Sequence, residues 1–396
     1  MFAEDCDLLI IGGGPAGLIA ARDAAREARQ ASIVLLERDI AVGAPVRCGE
    51  GVGSAGLSEF LAPSENGVLA PWIDRRITRV VFRSPNGSTV RVAEGDVGFI
   101  LDRRRFEPVL AEQACAAGAD VRTSSEAVCM HHDGTRWCVR VECADGSAMI
   151  RARIVIGADG VEGAVGRWAG LDTRVRARDM ESCAQYVVED DSFDADAIVL
   201  HFGDRVAPGG YAWVFPKGPT MANVGLGVLG LRAGGRSATA WLDAYLATHM
   251  PNAQPTRRTV GGVIVAATLP TIVADGLMLC GDAAHMINPL SGGGIVNAMK
   301  SGRLAAHTAA AALRSGDTGA GTLRTYHDRW MRLLGDDHVR FYQVKEALSR
   351  FDDTFYDRLA STVTRIPEHR RTLRRIFGEA LVRHPTLLPV VAKYFV

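Results

Sequence analysis

The chain has 396 residues, with 45 basic against 45 acidic side chains and a formal net charge of +0. It can therefore bury a large core in two domains or more, and it carries no field that would draw nucleic acid. Its eight cysteines include no C-x-x-C pair and none lies beyond Cys280, which argues against a zinc site and against a C-terminal iron–sulfur cluster.

Apolar runs are too short and too interrupted by glycine and proline for a spanning helix. A first strand beginning almost at once leaves no room for a signal peptide. The expected compartment is a reducing cytosol with free thiols.

Residues 7–37 read DLLIIGGGPAGLIAARDAAREARQASIVLLE. The run 8–11 suits a strand buried on both faces, and 33–36 suits a second. Between them Gly12, Gly14 and Gly17 have the spacing G-x-G-x-x-G, and an Ala-rich helix starts at Pro15 and Ala16. Gly12 permits the turn out of the strand. Gly14, lacking Cβ, lets a pyrophosphate approach the backbone, and Gly17 lets helix and strand pack closely. The helix start offers N–H groups and a positive dipole end to phosphate. Glu37 falls 20 residues after Gly17, where an acid can accept from ribose hydroxyls.

Residues 41–53, AVGAPVRCGEGVG, form a glycine-rich loop that can approach a flat ligand. Cys48 is its one soft titratable group. Alone, it reads first as an incidental thiol in a structural loop, and Arg47 reads equally as a solvated charge. Residues 77–92 hold two alternating runs around Asn86-Gly87, a hairpin that belongs to a second domain's sheet. A helix is expected over 103–117, stopped by Gly118. Arg103 at its start either reaches a cofactor or is solvated. Residues 126–156 form an antiparallel meander ending in Gly157-Ala158-Asp159-Gly160. Its histidines, His131 and His132, are expected at the surface, and Cys129, Cys138 and Cys143 in packing.

Period two puts Tyr211, Trp213 and Phe215 on one face of a strand that ends at Pro216. They form either an aromatic wall against an apolar ligand or an ordinary sheet face under a helix. A helix is expected over 237–250. A further buried run, 277–280, meets Gly281-Asp282. A loop with Gly292, Gly293 and Gly294 then opens a long helix at Ile295, whose positive end suits developing negative charge. Asp282 suits another sugar or ribityl hydroxyl. The C-terminal section is helical in pattern and basic, with Arg365, Arg370, Arg371, Arg374, Arg375, Arg383 and Lys393 interleaved with apolar residues. Such a segment lies on an anionic membrane or covers a core.

Three strand-to-glycine junctions in this order resemble the flavoproteins with the p-hydroxybenzoate hydroxylase, glutathione-reductase-like FAD fold, over roughly 7–308. Within that group the chain is similar to the geranylgeranyl reductase family, through Pro45-Val46-Arg47-Cys48-Gly49-Glu50-Gly51 and Tyr211-x-Trp213-x-Phe215-Pro216. The resemblance implies an α/β fold. A Rossmann-type FAD domain would come from 1–75, 98–170 and 270–310, and an inserted, mainly antiparallel β-sheet substrate domain from 76–97 and 171–269. A C-terminal helical region would cover 311–396. It implies FAD contacts at Gly12, Gly14, Pro15, Ala16, Gly17, Glu37 and Arg38, at Arg47, Cys48, Gly49 and Arg103, and at Ala158, Asp159 and Gly160. Gly281, Asp282, Gly292, Gly293, Gly294 and Ile295 complete that set. Tyr211, Trp213, Phe215 and Pro216 would line a lipid chain's pocket. Glu107, in Arg103-x-x-Phe106-Glu107, stands where Asp is more usual.

The implied reaction is saturation of C=C bonds in a geranylgeranyl or polyprenyl lipid by hydride from reduced FAD, with Cys48 donating the proton or positioning the chain. NAD(P)H or a ferredoxin-like protein would supply electrons. The expected location is cytoplasmic, with peripheral membrane contact through the basic C-terminal helices. Three rivals share the fold: a flavin monooxygenase or halogenase acting on a small aromatic, an electron-transfer flavoprotein, and a non-catalytic binding module. The aromatic-proline strand loosely resembles the halogenase W-x-W-x-I-P motif.

Overall fold

The computed structural model of this chain describes residues 3–368 and 371. They fall into two compact units. The first comprises the described residues up to Val46, with Arg103–Val175 and Ala266–Val339; the second comprises Arg47–Asp102, Arg176–Val265 and the described residues from Arg340 onward.

The first unit is built on a parallel sheet. Leu277–Leu279, Gly146–Gly157, Ala3–Ile11, Ile33–Leu36 and Asp120–Arg122 lie side by side in that order. Leu8, Leu9, Ile10, Ile154, Val155 and Ile156 are fully buried, as strands covered on both faces require. The expected meander is present: Ser125–His132, Trp137–Cys143 and Gly146–Gly157 pair antiparallel. Helix Pro15–Glu27 packs against helix Ile295–Ser315 so closely that a Cβ on Gly302 would stand 2.1 Å from the Ala16 carbonyl oxygen.

The second unit is an eight-stranded sheet in the order Gln254–Ile264, Met180–Glu189, Met221–Leu229, Tyr211–Pro216, Ala197–Phe202, Ile73–Arg83, Thr89–Leu101, Gly51–Gly53. All its pairs are antiparallel except Ala197–Phe202 with Ile73–Arg83. Helix Ala238–His249, capped by Ser237, covers one face. Its Leu242, Tyr245 and Leu246 pack on Ala184, Val188, Ala212, Val214, Val224, Leu226 and Val228. Burying each large aliphatic side chain there is worth about 1.5–3 kcal/mol.

Two expected divisions of the chain differ from these units. Residues 47–75 and 98–102 cluster with the second unit, because Gly51–Gly53 pairs with Thr89–Leu101 as an edge strand. The C-terminal helices do not form one region. Helix Ala320–Trp330 belongs to the first unit, where the Tyr326 hydroxyl donates to the Leu279 carbonyl at 2.7 Å. Helix Asp353–Thr364 belongs to the second, where Ala360 and Val363 pack on Val90. Of the basic C-terminal segment, Arg370, Arg374, Arg375, Arg383 and Lys393 lie outside the described residues. Arg371 is described, and it donates to the carbonyls of Ile366, Arg91 and Thr364.

Candidate functional site

In the first unit, register aligns the glycine corners. Leu36 pairs with Ile11, Ile11 with Gly157, and Gly157 with Leu279. The residues that leave these strands, Glu37, Gly12, Ala158 and Cys280, therefore emerge in one row at the carboxyl ends of four adjacent parallel strands. That edge is where ligands bind in open α/β sheets.

The three glycines have different duties. Gly12 has φ +110, and a Cβ there would lie 2.2 Å from the Ala158 carbonyl oxygen. A Cβ on Gly17 would lie 1.9 Å from the Gly12 carbonyl oxygen. Both positions are closed by packing. Gly14 has extended backbone and nothing within 4 Å of its would-be Cβ, so its missing side chain leaves open space where a ligand can approach. Pro15 and Ala16 are buried in the first helical turn, and Ala16 packs towards Gly281.

Glu37 accepts from Gly13 N at 2.7 Å and from Asp39 N at 2.8 Å, one on each carboxylate oxygen. The acid thus fixes the glycine turn, and each oxygen retains a lone pair for a hydroxyl. Arg38 pairs with Glu162 at 2.8 Å at the surface. The Asp159 Oδ2 atom caps the next turn, accepting from Ala164 N at 2.6 Å and Val165 N at 2.9 Å, while its buried Oδ1 atom has no partner. Burial raises its pKa. Gly160 has φ +75 and open space at its would-be Cβ.

Arg103 is held rather than solvated: its guanidinium pairs with Glu107, which is 2% exposed. The Glu at this position accounts for the hold. Burial pushes Asp282 up to about 6, and the charge of Arg103 partly opposes the shift. A Cβ on Gly294 would stand 3.5 Å from the Asp282 Oδ1 atom, so the carboxyl sits by the start of helix Ile295–Ser315. The loop before that helix is tied by Asn288, which accepts from Leu290 N and Ser291 N, and Gly292 takes φ +68. Ala298 N is the first helical amide, bonded to the Gly294 carbonyl. Earlier amides of the turn have no intrahelical partner and point their donors outward.

The second unit carries a separate constellation. Strand alternation puts Tyr211, Trp213 and Phe215 on the face opposite helix Ala238–His249, with ring centroids 6.1 Å and 6.3 Å apart. Phe202 continues the row, 5.7 Å from Tyr211. Pro216 shares the buried face with Ala212 and Val214, so it shapes the strand end instead of lining the aromatic face as expected. On the neighbouring strand that same face bears Asn223, Gly225 and Gly227, and on the next Gln185, Cys183 and Glu181. A Cβ on Gly225 would stand 2.4 Å from the Trp213 ring, and one on Gly227 2.7 Å from a Glu181 carboxylate oxygen. The absent side chains let the Trp213 ring lie over Gly225 and the Glu181 carboxyl and Cys183 sulfur lie over Gly227.

Cys48 is tied to the end of this face. Gln185 donates to its carbonyl at 3.0 Å, and Glu50 N donates to its sulfur at 3.2 Å. Asn223 donates to the Gly49 carbonyl at 3.1 Å, and the Phe215 ring lies against Gly49 and Gly51. Beneath the loop, buried Glu50 takes φ 70 and receives Lys217 and Asn223, while Lys217 also pairs with Asp74 at 2.7 Å. Arg47 is exposed at the loop's start.

Sequence reasoning missed Glu181, Gln185, Asn223 and the Lys217–Glu50–Asp74 cluster. The signal was the alternation of N-V-G-L-G-V over 223–228, small or polar on one face and apolar on the other. Among the described residues no His, Cys, Asp or Glu group could hold a metal ion, and no helix is long and apolar enough to cross a membrane.

Two family models match the chain: the geranylgeranyl reductase catalytic domain over residues 179–264 and an FAD binding domain over residues 96–219. The digeranylgeranylglycerophospholipid reductase of Methanoculleus marisnigri is 40% identical over 390 residues, covering 96% of each chain. A crystal structure of a geranylgeranyl bacteriochlorophyll reductase-like protein from Thermoplasma acidophilum superposes with TM-score 0.91 at 30% identity, over 99% of each chain. The flavin-dependent brominase Bmp2 shares the fold alone, with TM-score 0.70 at 15% identity, over 98% of this chain and 100% of that one.

Proposed function

This chain belongs to the geranylgeranyl reductase family, and we infer that its substrate is the geranylgeranyl chain of a glycerophospholipid, laid along the face that carries Tyr211, Trp213 and Phe215. It is an FAD-dependent oxidoreductase that reduces C=C bonds of geranylgeranyl groups. The observation that carries the lipid reading is the aromatic row itself. Tyr211, Trp213 and Phe215 stand together on the sheet face opposite helix Ala238–His249, and glycine at 225 lets the Trp213 ring lie close to the sheet.

The residues of the first unit fit FAD. Gly14 leaves space for the pyrophosphate, and the outward amides at the starts of helices Pro15–Glu27 and Ile295–Ser315 meet negative charge. Glu37 and Asp282 offer carboxylates to hydroxyls. Once reduced, FAD supplies a hydride.

An unactivated trisubstituted alkene is a poor hydride acceptor, so a proton must reach one carbon as hydride reaches the other. Aromatic faces favour the transient positive charge and exclude water. Cys48 presents a small thiol at the end of the row, where it holds the chain in register or hands on a proton. A lipid of this kind resides in a bilayer. With no spanning helix among the described residues, the protein would meet it at the membrane surface.

The test is anaerobic incubation of the protein with dithionite and a digeranylgeranyl phospholipid, followed by mass spectrometry. The expected result is a gain of about two mass units for each bond saturated. An unaltered lipid, or a requirement for oxygen, would overturn the reading.

A further inference from the structure

Alkene saturation consumes one proton per bond, and the face that carries the aromatic row also carries an acid suited to give it. Glu181 projects from strand Met180–Glu189 on the same face as Cys183 and Gln185. Its carboxyl lies over Gly227, where a Cβ would come within 2.7 Å of its Oε2 atom, and beside Gly210, whose Cβ would come within 3.5 Å of its Cδ atom. The Glu181 carboxyl thus rests on the backbone at Gly227, in the space that a side chain there would take.

The neighbours are few. Cys183 flanks it on its own strand, Tyr211 stands on the aromatic row, and Cys48 enters from the loop. The charges of Glu181 and Cys48 raise Cys183, and those of Glu181, Cys183 and Cys48 raise Tyr211, in both cases after burial. Among the described residues the opposing charge is that of Lys345. It is already committed to Asp179 at 3.1 Å, to Glu346 at 3.2 Å and to the Val265 carbonyl at 3.0 Å. Among the described residues no side chain donates a hydrogen bond to the Glu181 carboxyl.

We propose that Glu181 is the acid of the reaction: its neutral carboxyl gives up the proton that the second alkene carbon acquires, and water re-protonates it between turnovers. The inference rests on the lipid reading above. The π bond breaks, one carbon takes the hydride and the other the proton, and Glu181 is left as carboxylate. Burial drives the carboxyl up to about 7, against a partial lowering by Lys345, so near neutral pH it is a stronger acid than Cys183 or Tyr211. General acids work best with a pKa near the working pH. Burial raises Cys183 and Tyr211 well above that range, so they hold their protons too tightly to compete. Cys48 then positions the chain against the acid.

The test uses FAD-loaded protein, reduced anaerobically with dithionite and mixed with digeranylgeranyl phospholipid in detergent micelles. Flavin reoxidation in a single turnover is followed from about pH 5 to about pH 9. Wild type should slow as pH rises through about 7. Glu181→Gln should keep its FAD and its lipid affinity, lose about 100-fold in rate, and lose that pH dependence. Cys48→Ala should be slower yet keep the same alkaline limb. A Glu181→Gln protein with wild-type rate and limb would overturn the proposal.

A second readout needs no turnover. Infrared spectra of lipid-free holoenzyme should show a protonated-carboxyl band that titrates near pH 7 and is missing from Glu181→Gln. If lipid is reduced but no such band exists, Glu181 alone is excluded. If wild type reduces no geranylgeranyl lipid, the substrate reading fails and takes the role of Glu181 with it, whatever the band shows.

Discussion

Trp213 and Cys48 are joined through one amide: the Trp213 indole N–H donates to the Gln185 oxygen at 3.0 Å, and the Gln185 nitrogen donates to the Cys48 carbonyl at 3.0 Å. The aromatic row and the thiol loop are therefore set by the same side chain. Gln185→Leu keeps the volume and removes both bonds. Leaving a buried donor and acceptor unmet costs about 1–3 kcal/mol. The expected outcome is a lower Tm, full FAD content and about tenfold slower single-turnover reduction of lipid, as appropriate for a small loss of positioning. Wild-type turnover would show that loop placement does not matter to the chemistry.

Gly225 and Gly14 separate the two functions of the molecule. A Cβ at 225 would meet the Trp213 ring at 2.4 Å and the Ala184 carbonyl at 2.7 Å. Gly225→Val should displace the ring and abolish lipid binding, measured by quenching of tryptophan fluorescence, with FAD still bound.

Gly14→Val should do the reverse. Nothing lies within 4 Å of its would-be Cβ, so the fold should survive, with Tm close to that of wild-type apoprotein. The pyrophosphate's space would be occupied and the purified protein should be colourless. Gly17→Val, by contrast, meets the Gly12 carbonyl and should fail to fold. A yellow, FAD-loaded Gly14→Val protein would contradict the cradle.

Cys48→Ala tests the thiol. Its FAD content should be unchanged and its prenyl reduction lost by about 100-fold, measured by mass spectrometry of the lipid. Undiminished turnover would remove Cys48 from the reaction.

Glu181 also predicts a pH dependence of stability. Its folded pKa, about 7, exceeds the unfolded value, 4.5. Between the two the native state binds more protons, so stability falls as pH rises through that window, and the loss is complete above it. Glu181→Gln should therefore be more stable than wild type at pH 8 by about 2 kcal/mol, allowing for partial solvent access. The difference should disappear below about pH 4. Denaturant melts at the two pH values measure it, and equal differences at both would refute the shifted carboxyl.

The nucleotide cradle was legible because its parts are local. Gly12, Gly14 and Gly17 each follow from a turn, a strand end and a helix start within a short stretch, and the alternation of Tyr211, Trp213 and Phe215 needs only period two. What was not legible depends on register. Glu181 and Gln185 face the aromatic row only because Cys183 pairs with Gly227 and Trp213 with Gly225. No pattern within one strand specifies that pairing. Lys217, Glu50 and Asp74 come from separate segments, so their buried cluster was invisible. The placement of 47–75 in the second unit depends on register too, since Gly51–Gly53 is assigned by its partner strand.

Strand Met221–Leu229 has unequal obligations on its two sides. Ala222, Val224, Leu226 and Val228 are locked into the core beneath helix Ala238–His249, whereas Gly227 faces the other way. A methyl group added there would first meet the Glu181 carboxylate oxygen at 2.7 Å and the Cys183 sulfur at 3.2 Å. Position 227 thus governs where the Glu181 carboxyl rests while leaving the core-facing residues of its own strand untouched.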